Sequence, residues 1–390
     1  MTQLSLKTKF DYDLEEIKER FFKYSYDYKN KAYNLLPLKN GPILIYTTNN
    51  INILNNNLQQ KKLISFNENE IITSIKEIQK EKLFCCVNDL YVLSIKSSKI
   101  INKEKIVIPN NEIIYDVIKL KNGKILGITN KTIIEIKENY EIDELFKIPQ
   151  NWLIKSYKEQ YRYYSGFQQY INLYELPNNK LLINSHSTEF SHNGGCGTNP
   201  PYQISINKIY ILNLFNFEII HQFDELKSEI NIVILDKYIC IIYFYKYHLH
   251  NLIDIYNIED YKLIKKIEDR FDKQYIIKID GNKFISMSIS ENKNHIILYD
   301  LSNINDIKYQ IFKENFIRFK TKYYNGPSKV RNTKNKSICI LKDGSIFIIC
   351  HGKIYIVEFP KLFNLLPLSE FEYKKENFKH LEMIHFDDDD

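Results

Sequence analysis

Residues 118–128 read IKLKNGKILGI: an alternating apolar run, a Lys-Asn-Gly turn, then a second apolar run. Asn-Gly flanked by alternating apolar residues marks a β-hairpin, since both residues tolerate the positive φ of a tight turn. The construction recurs as LPLKNGPILIY (36–46), IKEIQKEKLFCC (75–86), YELPNNKLLIN (174–184), VILDKYICII (233–242), IKIDGNKFISM (277–287) and CILKDGSIFII (339–349). Not every copy has a glycine. The chain holds only 11 Gly, and Asn, which also visits the left-handed region, fills many turns instead.

Behind each hairpin stands a third stretch with period-2 alternation: INILN (51–55), LYVLSI (90–95), TIIEI (132–136), IYILNL (209–214), LIDIYNI (252–258), IILYDL (296–301) and IYIVEF (354–359). A fourth closes most units, as in KKLISF, EKIVIP, ELFKIP, EIIHQF, KLIKKI and KYQIF. Propeller blades are four-stranded units that repeat every ~40–45 residues. The pattern therefore predicts an all-β, seven-bladed β-propeller of four-stranded antiparallel blades over residues 33–360. A β-sandwich, or two smaller β domains, is the competing architecture. Seven regular units without a linker argue against it.

The segments outside the repeats carry their own expectations. In the N-terminal extension, residues 1–32, Leu14, Ile17 and Phe21 have the spacing of a short amphipathic helix within 11–30. The seventh unit lacks a fourth strand after IYIVEFP. Either QLSLKTKF near the N terminus or KHLEMIHF in the C-terminal segment 361–390 is expected to supply it and cover a free edge. Asp387 to Asp390 read as a disordered acidic tail.

ITNKTIIEI, HIILYDLSN and IYNIEDYKLIKKI resemble the second half of WD40 repeats, where an apolar strand ends in Trp-Asp. Tyr299-Asp300 is nearest to that dipeptide; Tyr256-Asn257 and Leu212-Asn213 are weaker counterparts. The resemblance spans residues 33–360 and its repeats are degenerate. Trp152, the one tryptophan, lies elsewhere, and no Gly-His dipeptide precedes a blade. The resemblance implies a propeller that lacks most of that family's buried His–Asp network.

Composition agrees with such a fold. Apolar residues make up 44% and aromatics 14%, with 30 Tyr and 23 Phe, which are strand formers. The net charge of +6 comes from 54 basic and 48 acidic residues, and Arg20, Arg162, Arg270, Arg318 and Arg331 are the only arginines. A lysine surplus spread along the chain is a solvated surface more often than a phosphate-binding stripe. Cys85, Cys86, Cys196, Cys240, Cys339 and Cys350 form no C-x-x-C pair and sit mostly in apolar runs, as reduced thiols of a cytoplasmic or nuclear protein do. MTQLSLKTKF lacks the apolar region of a signal peptide, and the longest apolar run, YICIIYFY (238–245), is too short to span a bilayer.

In a propeller, connections from the second to the third strand and from one blade to the next share one face. The turns expected on the other face are tight. The long stretches 150–169, 185–204 and 313–336, together with KYHLHN (246–251), all belong to the first face. Loops on a rigid scaffold are where binding residues gather. On this face Arg318, Lys322, Lys329 and Arg331, interleaved with Tyr323 and Tyr324, combine charge with stacking surface suited to single-stranded nucleic acid or a phosphorylated ligand. Arg162, Tyr163 and Tyr164 form an aromatic anchor patch of interface type. His186, His192 and Cys196, which His248 and His250 could approach from the adjacent blade, are residue types that bind zinc, but no fourth ligand at a recognised spacing completes a site.

No nucleophile elbow, phosphate-binding glycine loop or H-E-x-x-H occurs. The leading expectation is a non-catalytic scaffold, a monomeric propeller within a larger complex, binding protein partners through the loop-rich face without cofactor or metal. Two alternatives stand beside it. One is RNA or phospho-ligand binding through 313–336; the other is a propeller-type hydrolase or lyase with its site in the channel. Fold alone does not choose among them.

Overall fold

The computed structural model describes residues 34–367 apart from 40–41, 47–48, 55–59, 68–69, 97–98, 150–151, 153–163, 192–201, 227, 245–250, 270–274, 290–293, 315–337, 341–345, 351–352 and 358–365. The helix expected within 11–30, the segments QLSLKTKF and KHLEMIHF, and the acidic tail lie outside the described residues.

Among the described residues the strands assemble into seven antiparallel sheets, each a meander in chain order but for one added strand. Sheet 1 holds β1 (Asn34–Pro37), β2 (Ile43–Tyr46), β3 (Asn50–Leu54) and β4 (Gln60–Ser65). Sheet 2 holds β5 (Ile72–Gln79), β6 (Lys82–Val87), β7 (Asp89–Lys96) and β8 (Lys99–Ile106). Sheet 3 holds β9 (Ile114–Lys119), β10 (Ile125–Thr129), β11 (Thr132–Ile136) and β12 (Ile142–Lys147). Sheet 4 holds β13 (Tyr164–Leu176), β14 (Lys180–Ser191), β15 (Tyr202–Asn213) and β16 (Ile219–Gln222). Sheet 5 holds β17 (Glu229–Ile234), β18 (Tyr238–Phe244), β19 (Asn251–Asn257) and β20 (Leu263–Asp269). Sheet 6 holds β21 (Tyr275–Asp280), β22 (Lys283–Ile289), β23 (Asn294–Asp300) and β24 (Lys308–Glu314). Sheet 7 holds β25 (Ile338–Ile340), β26 (Ile346–Cys350) and β27 (Lys353–Val357), and a short β28 (Leu366–Pro367) adds to the outer side of β24. There is no α-helix among the described residues; a 3₁₀ turn covers Pro109–Asn111.

The core lies between sheets. Alternate residues of a strand face opposite neighbours. Leu83, Cys85 and Val87 of β6 pack with Leu44, Ile51 and Ile53 of sheet 1, whereas Phe84 and Cys86 pack with Ile114, Val117 and Ile134 of sheet 3. In the same way Leu181 and Ile183 face sheet 3 while Leu182 faces Ile239 and Ile241 of sheet 5. Cys240 and Ile242 then meet Phe284 and Ile297 of sheet 6. Covering both faces explains why β6, KLFCCV, is buried at every position after its first. Each fully buried aliphatic or Phe side chain contributes about 1.5–3 kcal/mol.

First strands of successive sheets touch: β5 and β9, β9 and β13, β17 and β21, β21 and β25, and finally β25 and β1. That last contact joins the final sheet to the first. The sheets form a closed cycle with first strands innermost and fourth strands at the rim, which is a β-propeller. Closure leaves a sheet no exposed face, only a short outer edge.

Packing inside the cycle is close enough to demand a glycine. A Cβ on Gly127 of β10 would stand 3.0 Å from Ile134 Cγ1 and 3.1 Å from Ile114 Cδ1. The turns from third to fourth strand repeat one design. Asn213, Asn257 and Asp300 end their strands and accept, through a side-chain oxygen, the N–H two residues on, at 2.9, 2.8 and 2.9 Å. These are the second residues of the three Trp-Asp-like dipeptides. An aromatic residue then takes positive φ: 56° at Phe217, 60° at Tyr261, and 67° at Tyr140 in the matching turn of sheet 3. Each ring crosses to the preceding sheet. Phe217 stacks on Phe146, Tyr140 meets Phe84 edge-on, and Tyr261 lies against His221 with the Lys180 ammonium 5.0 Å from its ring centre.

One expectation needs correction. Residues 164–169 and 185–191 belong to strands, not to connecting loops, because the first three strands of sheet 4 run on in antiparallel pairing as far as Tyr164↔Ser191, with a register shift between Tyr164 and Gly166, and Ser191↔Tyr202. The polar run Asn184-Ser185-His186-Ser187 resembles loop sequence but is buried within β14. Its backbone bonds on both sides hold it in the sheet.

Candidate functional site

Beside the axis, Asp116 of β9 is 2% exposed. Ser74 Oγ of β5 donates to its Oδ1, and Leu173 N of β13 donates to its Oδ2 at 3.0 Å. Lys76 Nζ stands 3.8 Å from Oδ1. One buried carboxylate thus clasps the inner strands of three consecutive sheets. Burial, with the Asp116 charge next, pushes the Tyr46 and Tyr174 phenols well above their usual value, so both stay protonated. A carboxylate with donors from both flanks is a clamp between the sheets.

A second polar group lies at the end of the sheets where the inter-sheet connections run. His186 Nδ1 and Asn207 Oδ1 are 2.8 Å apart. Asn207 Nδ2 donates to Ser228 O at 2.7 Å, and the backbone of Asn207 exchanges bonds with Leu226 at 2.8 and 3.0 Å. The pair fastens the connection leading into sheet 5. On the facing sheet, Asp254 Oδ2 accepts from Tyr243 Oη at 3.1 Å and Tyr256 Oη at 3.4 Å, with Lys266 Nζ at 3.5 Å. Burial first, then the neighbouring Tyr256 and Asp254, raises the Tyr243 phenol.

The same end of sheets 2 and 3 carries exposed aliphatic side chains: Ile71 at 43%, Val107 at 69% and Ile113 at 39%. The backbone at Ile113 is tied down, and Thr73 at the start of β5 is bonded to it and to β6. Thr73 Oγ1 is 3.3 Å from both Cys86 O and Ile114 O, and Ile114 N donates to Asn88 O at 3.2 Å. Asn130 Oδ1 accepts from Ile113 N at 3.0 Å, and Glu112 takes both Thr129 Oγ1 and Thr132 Oγ1. The turn β6–β7, the turn β10–β11 and the connection β8–β9 are therefore one hydrogen-bonded surface. Sequence reasoning passed over these residues, because an isolated Ile or Val carries no sign of exposure; the apolar residues beside Pro109 in IVIPNNEI were the available signal.

Of the residues singled out from the sequence, His186 sits in β14, 4% exposed and bonded to Asn207. Tyr164 opens β13 in register with Ser191. Arg162, Tyr163, His192, Cys196, His248, His250, Arg318, Lys322, Tyr323, Tyr324, Lys329 and Arg331 lie outside the described residues. Among the described residues no group of three or more His, Cys, Asp or Glu side chains is placed to hold a metal ion. No helix among them is long and apolar enough to cross a membrane.

The class this architecture defines, a β-propeller, agrees with solved structures. Virginiamycin B lyase from Staphylococcus aureus aligns at 14% identity over 85% of this chain and 96% of its own, with a TM-score of 0.50. The Dos1 propeller aligns at 12% identity over 83% and 77%, TM-score 0.47, and Saccharomyces cerevisiae Sqt1 at 12% over 84% and 83%, TM-score 0.47. The lyase similarity, at 14% identity and a TM-score of 0.50, shows fold and not activity. No protein-family model matches the chain, and no curated protein sequence matches it.

Proposed function

We propose that this chain is a seven-bladed, WD40-like propeller serving as a non-catalytic interaction platform, with protein partners bound at the end of the disc that carries the inter-sheet connections. The observation that carries this reading is that Ile71, Val107 and Ile113 are exposed at the end where hydrogen bonds join the connections of sheets 2 and 3. Large exposed aliphatic side chains favour a partner that removes them from water. Topology supports the choice of end. In antiparallel meanders β12, β14, β18 and β24 end, and β13, β15, β19 and β25 begin, at the same end of their sheets as Ile71 and Ile113. The sequence between those strands contains the basic and aromatic residues Arg162, Tyr163, Arg318, Lys322, Tyr323, Tyr324, Lys329 and Arg331. The use of Asp116 as an inter-sheet clasp supports a non-catalytic role. A monomeric propeller in a larger cytoplasmic or nuclear complex completes the proposal.

The test is quantitative affinity capture from native cells. Ile71→Glu/Val107→Glu/Ile113→Glu is compared with the opposite-end control Lys121→Glu/Lys124→Glu. The proposal expects the control to keep the wild-type partners and the triple variant to lose them with its fold intact. Loss in the control and retention in the triple variant contradict it.

A further inference from the structure

The outer edges of the sheets are not alike. β4, β8, β12, β16 and β20 each pair with their neighbour through a register shift, at Ile51/Asn52, Ser94/Ile95, Ile133/Ile134, Ile211/Leu212 and Ile255/Tyr256. β24 instead pairs with β23 in unbroken register from Asn294↔Glu314 to Asp300↔Lys308. Bulges and charges are the usual guards against a further strand, since they twist the edge away or make burial costly. The longer shifted strands carry charges as well, such as Lys61 and Lys62 in β4, Lys103 and Glu104 in β8, and Lys265 and Lys266 in β20. β27, outermost among the described strands of sheet 7, also pairs without a shift, from Ile346↔Val357 to Cys350↔Lys353, over 5 residues. β16, with uncharged side chains, is only 4 residues long. β24 has 7 residues, no bulge, and the uncharged centre Tyr309-Gln310-Ile311-Phe312.

Of these two bulge-free edges, β24 is the longer and the one that gains a strand among the described residues. Leu366 pairs with Tyr309 and Pro367 with Lys308. The segment around them, 364–368, reads NLLPL, and residues 34–38 read NLLPL as well. The first copy forms β1, paired from Asn34↔Tyr46 to Pro37↔Ile43 on the innermost edge of sheet 1. Both copies lie at sheet edges, where a proline, with no N–H to give a second neighbour, is tolerated. Asn34–Pro37 of the first copy and Leu366–Pro367 of the second thus each pair as a strand at a sheet edge.

We propose that the outer edge of β24 is a docking edge for an extended Leu-Leu-Pro-Leu-type segment of a protein partner, and that Leu366–Pro367 hold the edge until such a segment displaces them. Main-chain bonds to Gln310–Phe312 supply affinity, and the alternating leucines supply selectivity, as in other strand-addition modes. The site is at the rim and does not rest on the loop-end reading, so either can fail alone.

The test is fluorescence titration of full-length protein with a labelled peptide of sequence 362–370, LFNLLPLSE. Leu366→Asp weakens the built-in competitor, so peptide affinity rises about tenfold or more over wild type, the scale set by losing an intramolecular rival at millimolar effective concentration. Gln310→Lys added to that variant restores a charge guard and removes binding with an unchanged melting temperature. A scrambled peptide binds neither protein. If Leu366→Asp fails to fold, Pro367→Lys and slowed amide exchange of residues 310–312 on adding peptide to wild type carry the same question. Equal affinity in wild type and variant, equal binding of the scrambled peptide, or a wild-type dimer that the peptide does not dissociate would each overturn the proposal.

Discussion

Leu173 N donates to Asp116 Oδ2 at 3.0 Å, fastening the inner strand of sheet 4 to that of sheet 3, while Ser74 Oγ reaches Oδ1 from sheet 2. Sheets in a propeller share side-chain contacts but no backbone ladder, so such a bond fixes their relative position where packing alone would let them slide. The cost of removing it is high because the donors stay buried.

Asp116→Ala should therefore lower unfolding free energy by about 3 kcal/mol, the scale for stranding buried partners of a charged group. Urea denaturation measures it. Asp116→Asn should destabilise less, since the amide oxygen can accept from Leu173 N while its N–H donates to Ser74 Oγ, a hydroxyl that accepts as well as donates. An Ala variant as stable as wild type would show that Asp116 is not the clasp described.

Gly127→Val should destabilise by about 1–3 kcal/mol through overpacking between sheets 2 and 3. The close approach to Ile134 and Ile114 leaves no room for even a Cβ without movement. Combining it with Ile134→Val should recover part of the loss, and a thermal melt of the three proteins checks this.

Tyr261 holds φ near 60° while its ring packs on His221. Tyr261→Ala loses the ring and keeps the backbone strain. Tyr261→Gly loses the ring and releases the strain, so the glycine variant should be the more stable by roughly 1 kcal/mol, reversing the order found at ordinary positions.

Burial holds the His221 imidazole below its usual value near 6.5, with the Asp224 carboxylate partly opposing the shift. The unfolded chain therefore takes the proton first. The His221 contribution is complete above 6.5 and declines as pH falls from there through the lower folded value. His221→Phe should flatten that part of the stability–pH curve, as read by denaturation at stepped pH.

The strands were legible because turn chemistry and alternation agreed: Lys-Asn-Gly at 121–123 turns between β9 and β10, and TIIEI at 132–136 is β11 residue for residue. The extension of sheet 4 was not legible. Asn184, Ser185, His186 and Ser187 are polar because the interior at that end is polar, and single-sequence patterning reads polar as exposed. The aromatic staples escaped for a related reason. Positive φ is expected of Gly or Asn, and at Tyr140, Phe217 and Tyr261 the neighbouring sheet supplies the energy that the backbone loses. Exposure of Ile71, Val107 and Ile113 depends on which neighbours are absent, which no local pattern encodes.

The central claim is the closed cycle in which β25 meets β1. A crystal structure of the full chain tests it most directly. The account predicts a single disc of seven blades, the first strands around one axis and Asp116 bonded to Ser74 and Leu173. Six or eight blades, or sheets 7 and 1 parted in an open or two-layered arrangement, would contradict it.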